Sequence, residues 1–287
     1  MRHHYIPQFY LKRWAGQDQR LERYTRPTPN KITVRRSFPS ETGFEVNLYK
    51  SPAEKSKSPQ WFETEFLQHL DNHTALVFEK LNASPPLNLD EEEHSILSVF
   101  VRSMTYRSPE MLAALKNSGA REWQKVVDSI EGIYDTIKSS KDPKTYKDFI
   151  ESVNAKNIES SVINIFPRLF TSEKVGQVLN NLPKRLIDTP DHTPEFLISD
   201  DPLIRTNGIL VENGHFALPI SPRRLLVMAW KTKTLDVISQ QSPTELVTNV
   251  NRWIVESARH FVGARDRSQD RFIRNRFGSD PKPPISR

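Results

Sequence analysis

The chain has 287 residues, no cysteine and a formal net charge of +6. Disulfides and thiolate metal sites are thereby excluded, and no run of roughly 18 apolar residues marks a membrane span. The basic balance favours a polyanionic partner, nucleic acid first, while nine glycines in neither GxGxxG nor GxxxxGK[ST] order argue against a glycine-built phosphate cradle.

The chain opens on RHHYIPQFYLKRW, dense in polar and aromatic side chains. Read as a strand, its alternation sets His4, Pro7, Phe9 and Leu11 apart from His3, Tyr5 and Gln8. No apolar core of a secretory signal is present, so a cytoplasmic location is expected. Tyr24, Ile32 and Val34 then sit among polar neighbours around a proline-bearing turn, which predicts a small β-ribbon within residues 1–58.

Residues 59–182 carry helical periodicity. Phe62, Phe66, Leu70, Thr74, Val77 and Leu81 make one stripe. Asp90 followed by Glu93 is a capping box, ahead of an apolar face of Leu97, Phe100, Val101 and Met104. Pro109 should bend or break that helix. A further helix carries Trp123, Val127, Ile130 and Tyr134, and two more are expected around 146–166 and 172–182.

Residues 183–240 change to short runs of β formers broken by proline and glycine, which read as strands. Ser242, Pro243 and Glu245 then start a long helix through residues 241–265. Residues 266–287 read as a basic, partly flexible tail. Strands, helices, strands and helix in that order make an α+β fold rather than a βαβ one. A single domain is expected, with an N-terminal β-ribbon, a central helical bundle and C-terminal β segments in a mixed or antiparallel sheet. Isolated ribbons are marginal in water, so the first and last β segments are expected to share a sheet. That pairing would bring the N-terminus beside residue 200.

Four stretches offer chemistry. In the opening block His3 and His4 suit general acid–base work or metal binding, against the plainer role of an anchoring strand with surface histidines. In PDHTPEFLISDDPLIRTN, Asp191, Glu195, Asp200 and Asp201 cluster. Adjacent carboxylates suit Mg²⁺, although Asp-Asp-Pro also makes an ordinary turn. The nuclease pattern that begins Pro-Asp needs a lysine two residues after its acid, and Phe-Leu follows Glu195 instead. His69 and His73 in HLDNH have metal-ligand spacing without the glutamate of HExxH. Arg107, at a helix end before Ser-Pro, suits a phosphate clamp or a helix cap equally.

Together these blocks resemble the domain of unknown function 4238 family. The opening HHYIPQFYLKRW is similar to the family's HHYVPQFYL-like block, and Arg107-Ser108-Pro109 to its Arg-Thr-Pro at a helix end. Ser199-Asp200-Asp201-Pro202 follows as its TSDNP, then Pro219-Ile220-Ser221-Pro222 as its PLSP-like strand. Last is a helix beginning near an Asn and ending in Ala-x-x-x-Val, here Asn251 through Val262. Ser108 replaces threonine and Asp201 replaces asparagine, so a metal role at 201 is not implied by the family. The resemblance brings His3, His4, Tyr5, Gln8, Arg107, Ser199 and Asp200 forward as motif positions, and leaves His69 and His73 out. It implies no reaction.

The expectation is a nuclease, as a toxin or anti-phage effector. His3 or His4, Arg107 and Asp200 would converge as imidazole, cation and carboxylate. Tyr5, Gln8, Tyr10, Ser199, Asp201 and Arg223 would bind substrate, with Mg²⁺ on Asp200 and Asp201. A non-catalytic nucleic-acid-binding or regulatory module and a nucleotide-using transferase stand as alternatives. Oligomeric state is left open.

Overall fold

The structure is a computed structural model that describes the chain except residues 30, 52–57, 85, 87, 153–154, 207 and 284–287. Strand β1 (Arg2–His4) leads into helix α1 (Gln8–Leu11) and a 3₁₀ turn, Lys12–Trp14. Strands β2 (Leu21–Thr28), β3 (Lys31–Ser37) and β4 (Phe44–Val46) follow. A π-helical stretch, Phe62–Leu67, runs directly into α2 (Gln68–Asn82). Then come α3 (Glu91–Tyr106), α4 (Pro109–Glu131), α5 (Tyr134–Ile137), α6 (Tyr146–Ser152), α7 (Ala155–Phe170) and α8 (Glu173–Asn180). Strands β5 (Lys184–Asp188), β6 (Ile198–Ser199), β7 (Ile204–Thr206), β8 (His215–Ser221) and β9 (Arg224–Ala229) precede α9 (Thr232–Ser239) and α10 (Pro243–Ser257). Strand β10 (Val262–Ala264) and helix α11 (Asp270–Arg276) close the described chain.

All sheets are antiparallel. β1 pairs only with β4, His4 opposite Phe44. The β2–β3 ribbon continues into β10 and β6, in the order β3-β2-β10-β6. First and last β segments therefore share a sheet, as their shortness required. The remaining strands make a separate sheet, β5-β9-β8-β7.

Two predicted caps form as read: Ser242 accepts the amide of Glu245 at 3.3 Å ahead of α10, and Asp90 and Glu93 cap each other ahead of α3. Asp90 accepts the amide of Glu93 at 2.9 Å, and the Glu93 carboxylate accepts the amide of Asp90 at 3.0 Å. Pro109 ends nothing itself. It is the first residue of α4, with Ser108 accepting the amide of Met111 at 3.2 Å, and so sets the break between α3 and α4.

Four expectations need correction. The opening block is strand only to His4. Beyond Pro7 it coils, which puts Tyr10, Leu11 and Trp14 on one buried side. Residues 232–239 are helix, not strand, with Leu235 inward and Asp236 paired to Arg185 at 2.9 Å. The long helix stops at Ser257, and 262–264 is strand, because the amides of Arg259, His260 and Phe261 turn onto the Asp200 carboxylate. The basic tail carries α11, held by buried Ile273 and Phe277.

The N-terminal coil is a keystone of the core. Tyr10, Leu11 and Trp14 are wholly buried among Phe78 and Phe100 of α2 and α3 and Leu218, Ile220 and Leu226 of β8 and β9. The Tyr10 hydroxyl donates to the Pro219 carbonyl at 2.5 Å, and Trp14 Nε1 donates to the Phe196 carbonyl at 2.7 Å. Buried aromatic tips are thus satisfied, and the N-terminus lies against the strands that flank residue 200.

Candidate functional site

Period-two alternation in β1 divides its side chains. Arg2 and His4 face a cleft of 490 Å³ whose other walls are α1 and the start of α2. Gln8 of α1, Lys12 of the 3₁₀ turn, Glu63 of the π-helical stretch and Asp71 of α2 join the polar lining, with Ser40, Gln68 and Asn72. The π-helical stretch is one of the irregularities that recur at functional sites, and it is the element that carries Glu63.

His3 points the other way and is fully buried. Its Nδ1 accepts the Tyr49 amide at 2.8 Å, which fixes the proton on Nε2, where it donates to Gln60 Oε1. Its ring stacks on Tyr49, centroids 5.6 Å apart. The Tyr49 hydroxyl donates in turn to the Arg107 carbonyl at 2.5 Å. Burial, above all, lowers the His3 pKa. His3 is thus the brace behind the cleft wall.

Arg107 is 1% exposed. Its Nη2 lies 2.7 Å from Asp71 Oδ1, an ion pair whose angles fall short of a good hydrogen bond. Its guanidinium stands 5.8 Å from the centre of the Phe100 ring. Burial outweighs the arginine's pull, so the Asp71 carboxyl sits above its ordinary range.

His4 and Glu63 are the pair at the cleft floor. The His4 amide donates to Glu63 Oε1 at 3.3 Å. Among the described residues, neither His4 Nε2 nor Glu63 Oε2 makes a hydrogen bond of normal geometry. Burial lowers the His4 pKa, only partly opposed by the Ser40 backbone. Burial raises Glu63 to about 7, against the His4 amide and Arg107, which favour its charge. At neutral pH the imidazole is therefore uncharged and the carboxyl about half protonated.

Of the residues shortlisted from sequence, His3, His4, Gln8 and Arg107 gather at or behind this cleft. Asp200 does not join them. Its carboxylate accepts the amides of Arg259, His260 and Phe261 at 3.0–3.1 Å. Asp201 is bound at both oxygens by Arg205, 3.2 Å each. The two carboxylates on which Mg²⁺ was placed are therefore both engaged by protein donors. Ser199 is buried in β6, its hydroxyl accepting the Asp201 amide at 3.2 Å. Arg223 donates to the carbonyls of Asp191 at 3.1 Å and Thr193 at 2.6 Å and staples the 190–195 loop. Tyr5 is buried toward His260, rings 6.0 Å apart, and Tyr10 is core. His69 and His73 are exposed, and His73 Nδ1 lies 2.8 Å from the His69 carbonyl. Glu63 and Asp71 are the additions that sequence reading passed over. Their only signal was two acids spaced to border the apolar stripe rather than oppose it.

A family described as protein of unknown function, DUF4238, matches residues 2–268. No curated protein and no solved structure matches the chain.

Proposed function

The chain belongs to the DUF4238 family, proteins of unknown function, and from the cleft we propose that it is a nuclease, a hydrolase of phosphodiester bonds in RNA or DNA. The observation that carries this reading is the reversed protonation of His4 and Glu63 in one cleft. There a neutral imidazole and a carboxyl that titrates at about 7 stand beside Arg2 and Lys12.

Phosphodiester hydrolysis needs a proton removed from the attacking oxygen, a proton given to the leaving one, and charge stabilised between them. Neutral His4 takes the proton from water as its oxygen bonds to phosphorus. Protonated Glu63 gives its proton to the oxygen whose bond to phosphorus breaks. Arg2 and Lys12 hold the phosphate oxygens. Asp71, paired with buried Arg107, keeps the Glu63 side of the cleft rigid, and His3 fixes β1 from behind. The net charge of +6 supports a polyanionic substrate met in the cytoplasm.

End-labelled RNA and DNA oligonucleotides incubated with and without Mg²⁺ test the reading. Cleavage by the full chain should fall at least about a hundredfold in His4→Ala and in Glu63→Gln, the usual worth of a general acid or base. Cleavage unchanged in both variants refutes it. Salt-sensitive binding without cleavage under any condition assigns the cleft to recognition alone.

A further inference from the structure

A second cleft, of 410 Å³, is lined by β1, the β2–β3 ribbon, Phe44 of β4 and the turn at His260. Four cationic side chains line it: Arg2, which borders both clefts, Arg23 of β2, Arg35 of β3 and His260. Its apolar floor is Tyr5 and Phe44, with the Arg2 guanidinium 4.7 Å from the centre of the Phe44 ring.

Arg23 and Arg35 face each other directly across the β2–β3 ladder. Like charges in that relation repel and destabilise a sheet. The Arg35 side chain has no ion pair or hydrogen bond among the described residues. Arg23 donates to the Glu41 carbonyl, but its Nε is buried with no partner. Burial first, and the charge of Arg35 next, push the Arg23 guanidinium below its ordinary pKa. His260 completes the group, and its hydrogen bond to Glu110, partly opposed by burial, favours the charged imidazolium. Three acids adjoin the cleft, and Glu110 is already paired with His260, which leaves the arginines as its unneutralised cations. Glu41 turns its carboxylate to the Phe38 amide at 3.3 Å, and Glu45 acts on His260 only at a distance. None of the three pairs with Arg23 or Arg35 through its carboxylate.

We propose that this second cleft is a phosphate-binding site, with Arg23 and Arg35 as its two-pronged clamp and Arg2 and His260 at its edges. Planar guanidinium forks match phosphate oxygens, and a dianion between the prongs turns a repulsive cross-strand pair into an attractive triad. The ligand's phosphate is either terminal, as on a nucleotide, or internal to a strand. The site shares Arg2 with the first cleft but requires no hydrolysis there.

Isothermal calorimetry on the full chain tests it with three probes: inorganic pyrophosphate, a 5′-phosphorylated tetranucleotide and the same tetranucleotide without that phosphate. Pyrophosphate should bind, and Arg35→Ala should weaken it at least about tenfold, the loss of one charge-assisted pair. Arg35→Lys should restore part of the affinity. Glu63→Gln should bind as the wild type does, which keeps this result apart from any failure of the nuclease assay. Preference for the phosphorylated tetranucleotide marks a terminal phosphate, and equal binding of both an internal one. Without ligand, Arg35→Ala should melt at the same temperature as the wild type or higher. Wild-type affinity in Arg35→Ala, no pyrophosphate binding up to about 10 mM, or a lowered melting temperature of the unliganded variant overturns the assignment.

Discussion

A carboxyl that titrates at about 7 leaves two marks, one on rate and one on stability. If Glu63 is the proton donor, cleavage should decline as pH rises through about 7, and Glu63→Gln should flatten that limb of the profile along with the rate. The stability effect has the opposite beneficiary. The folded pKa lies above the ordinary 4.5, so the folded state holds the extra proton, and stability falls as pH rises from 4.5 through about 7. Glu63→Gln should therefore stabilise the chain at pH 9, by about 2 kcal/mol once partial solvent exposure is discounted from the full shift. Urea denaturation at pH 5 and pH 9 checks it, and equal variant and wild-type midpoints at both refute it. Asp71 behaves differently, because its partner Arg107 is 1% exposed. Asp71→Asn strands a buried guanidinium and should cost about 3 kcal/mol, whereas Asp71→Asn with Arg107→Met should recover most of that. A double variant as unstable as the single one would refute the pairing. The sequence made His3, His4 and Arg107 legible because imidazole and guanidinium stand out where polar residues crowd. Glu63 and Asp71 stayed hidden for a physical reason. An acid on a helix reads as solvated unless its burial is known, and here the partners are distant in the chain: His4 of β1 for Glu63 and Arg107 for Asp71.

At the scale of elements the same carboxylate chemistry builds rather than reacts. Asp200 ends β6 and gathers the three amides that follow α10, joining helix end, turn and β10 in one knot. Burial raises its pKa while those amides oppose the rise. Asp200→Asn keeps the shape but loses the charge that strengthens the bonds, and should cost about 2 kcal/mol of stability. Per folded molecule, cleavage should be unchanged. A hundredfold loss of rate at unchanged stability would return Asp200 to the catalytic group where sequence reading first placed it. The fold was legible where a pattern is local. Asp90 with Glu93 and Ser242 with Pro243 and Glu245 announce helix starts by chemistry contained in a few residues. It was illegible where a distant partner decides. Phe261 and Val262 continue the apolar spacing of α10, and only the Asp200 carboxylate explains why the helix ends at Ser257. Likewise Phe9 and Leu11 alternate as a strand would, yet the aromatic pocket of α2, α3 and β8 selects a helical turn that buries Tyr10, Leu11 and Trp14 together.

At the scale of the whole molecule the charge is placed, not merely present. Of the 41 lysines and arginines, many serve as internal staples, such as Arg223 on the 190–195 loop and Arg224 on Asp188. Arg2, Lys12, Arg23 and Arg35 instead line the two clefts that flank β1, with Arg2 common to both. A single strand laid across β1 would meet about four cations. Binding to it should therefore weaken with salt at a logarithmic slope near −3, since each phosphate neutralised on single-stranded nucleic acid contributes about −0.7. Removing Arg23 and Arg35 together should bring the slope to about −1.5, while removing Arg265 and Arg271 of the C-terminal segment, of equal charge, should leave it near −3. Fluorescence anisotropy with a labelled oligonucleotide over a range of salt concentrations separates the two cases. If both double variants shift the slope equally, binding follows net charge alone, and the clefts have no claim on the strand. If only the first does, the strand follows the groove on either side of β1, and the keystone role of the N-terminal coil and the chemistry of His4 belong to one surface.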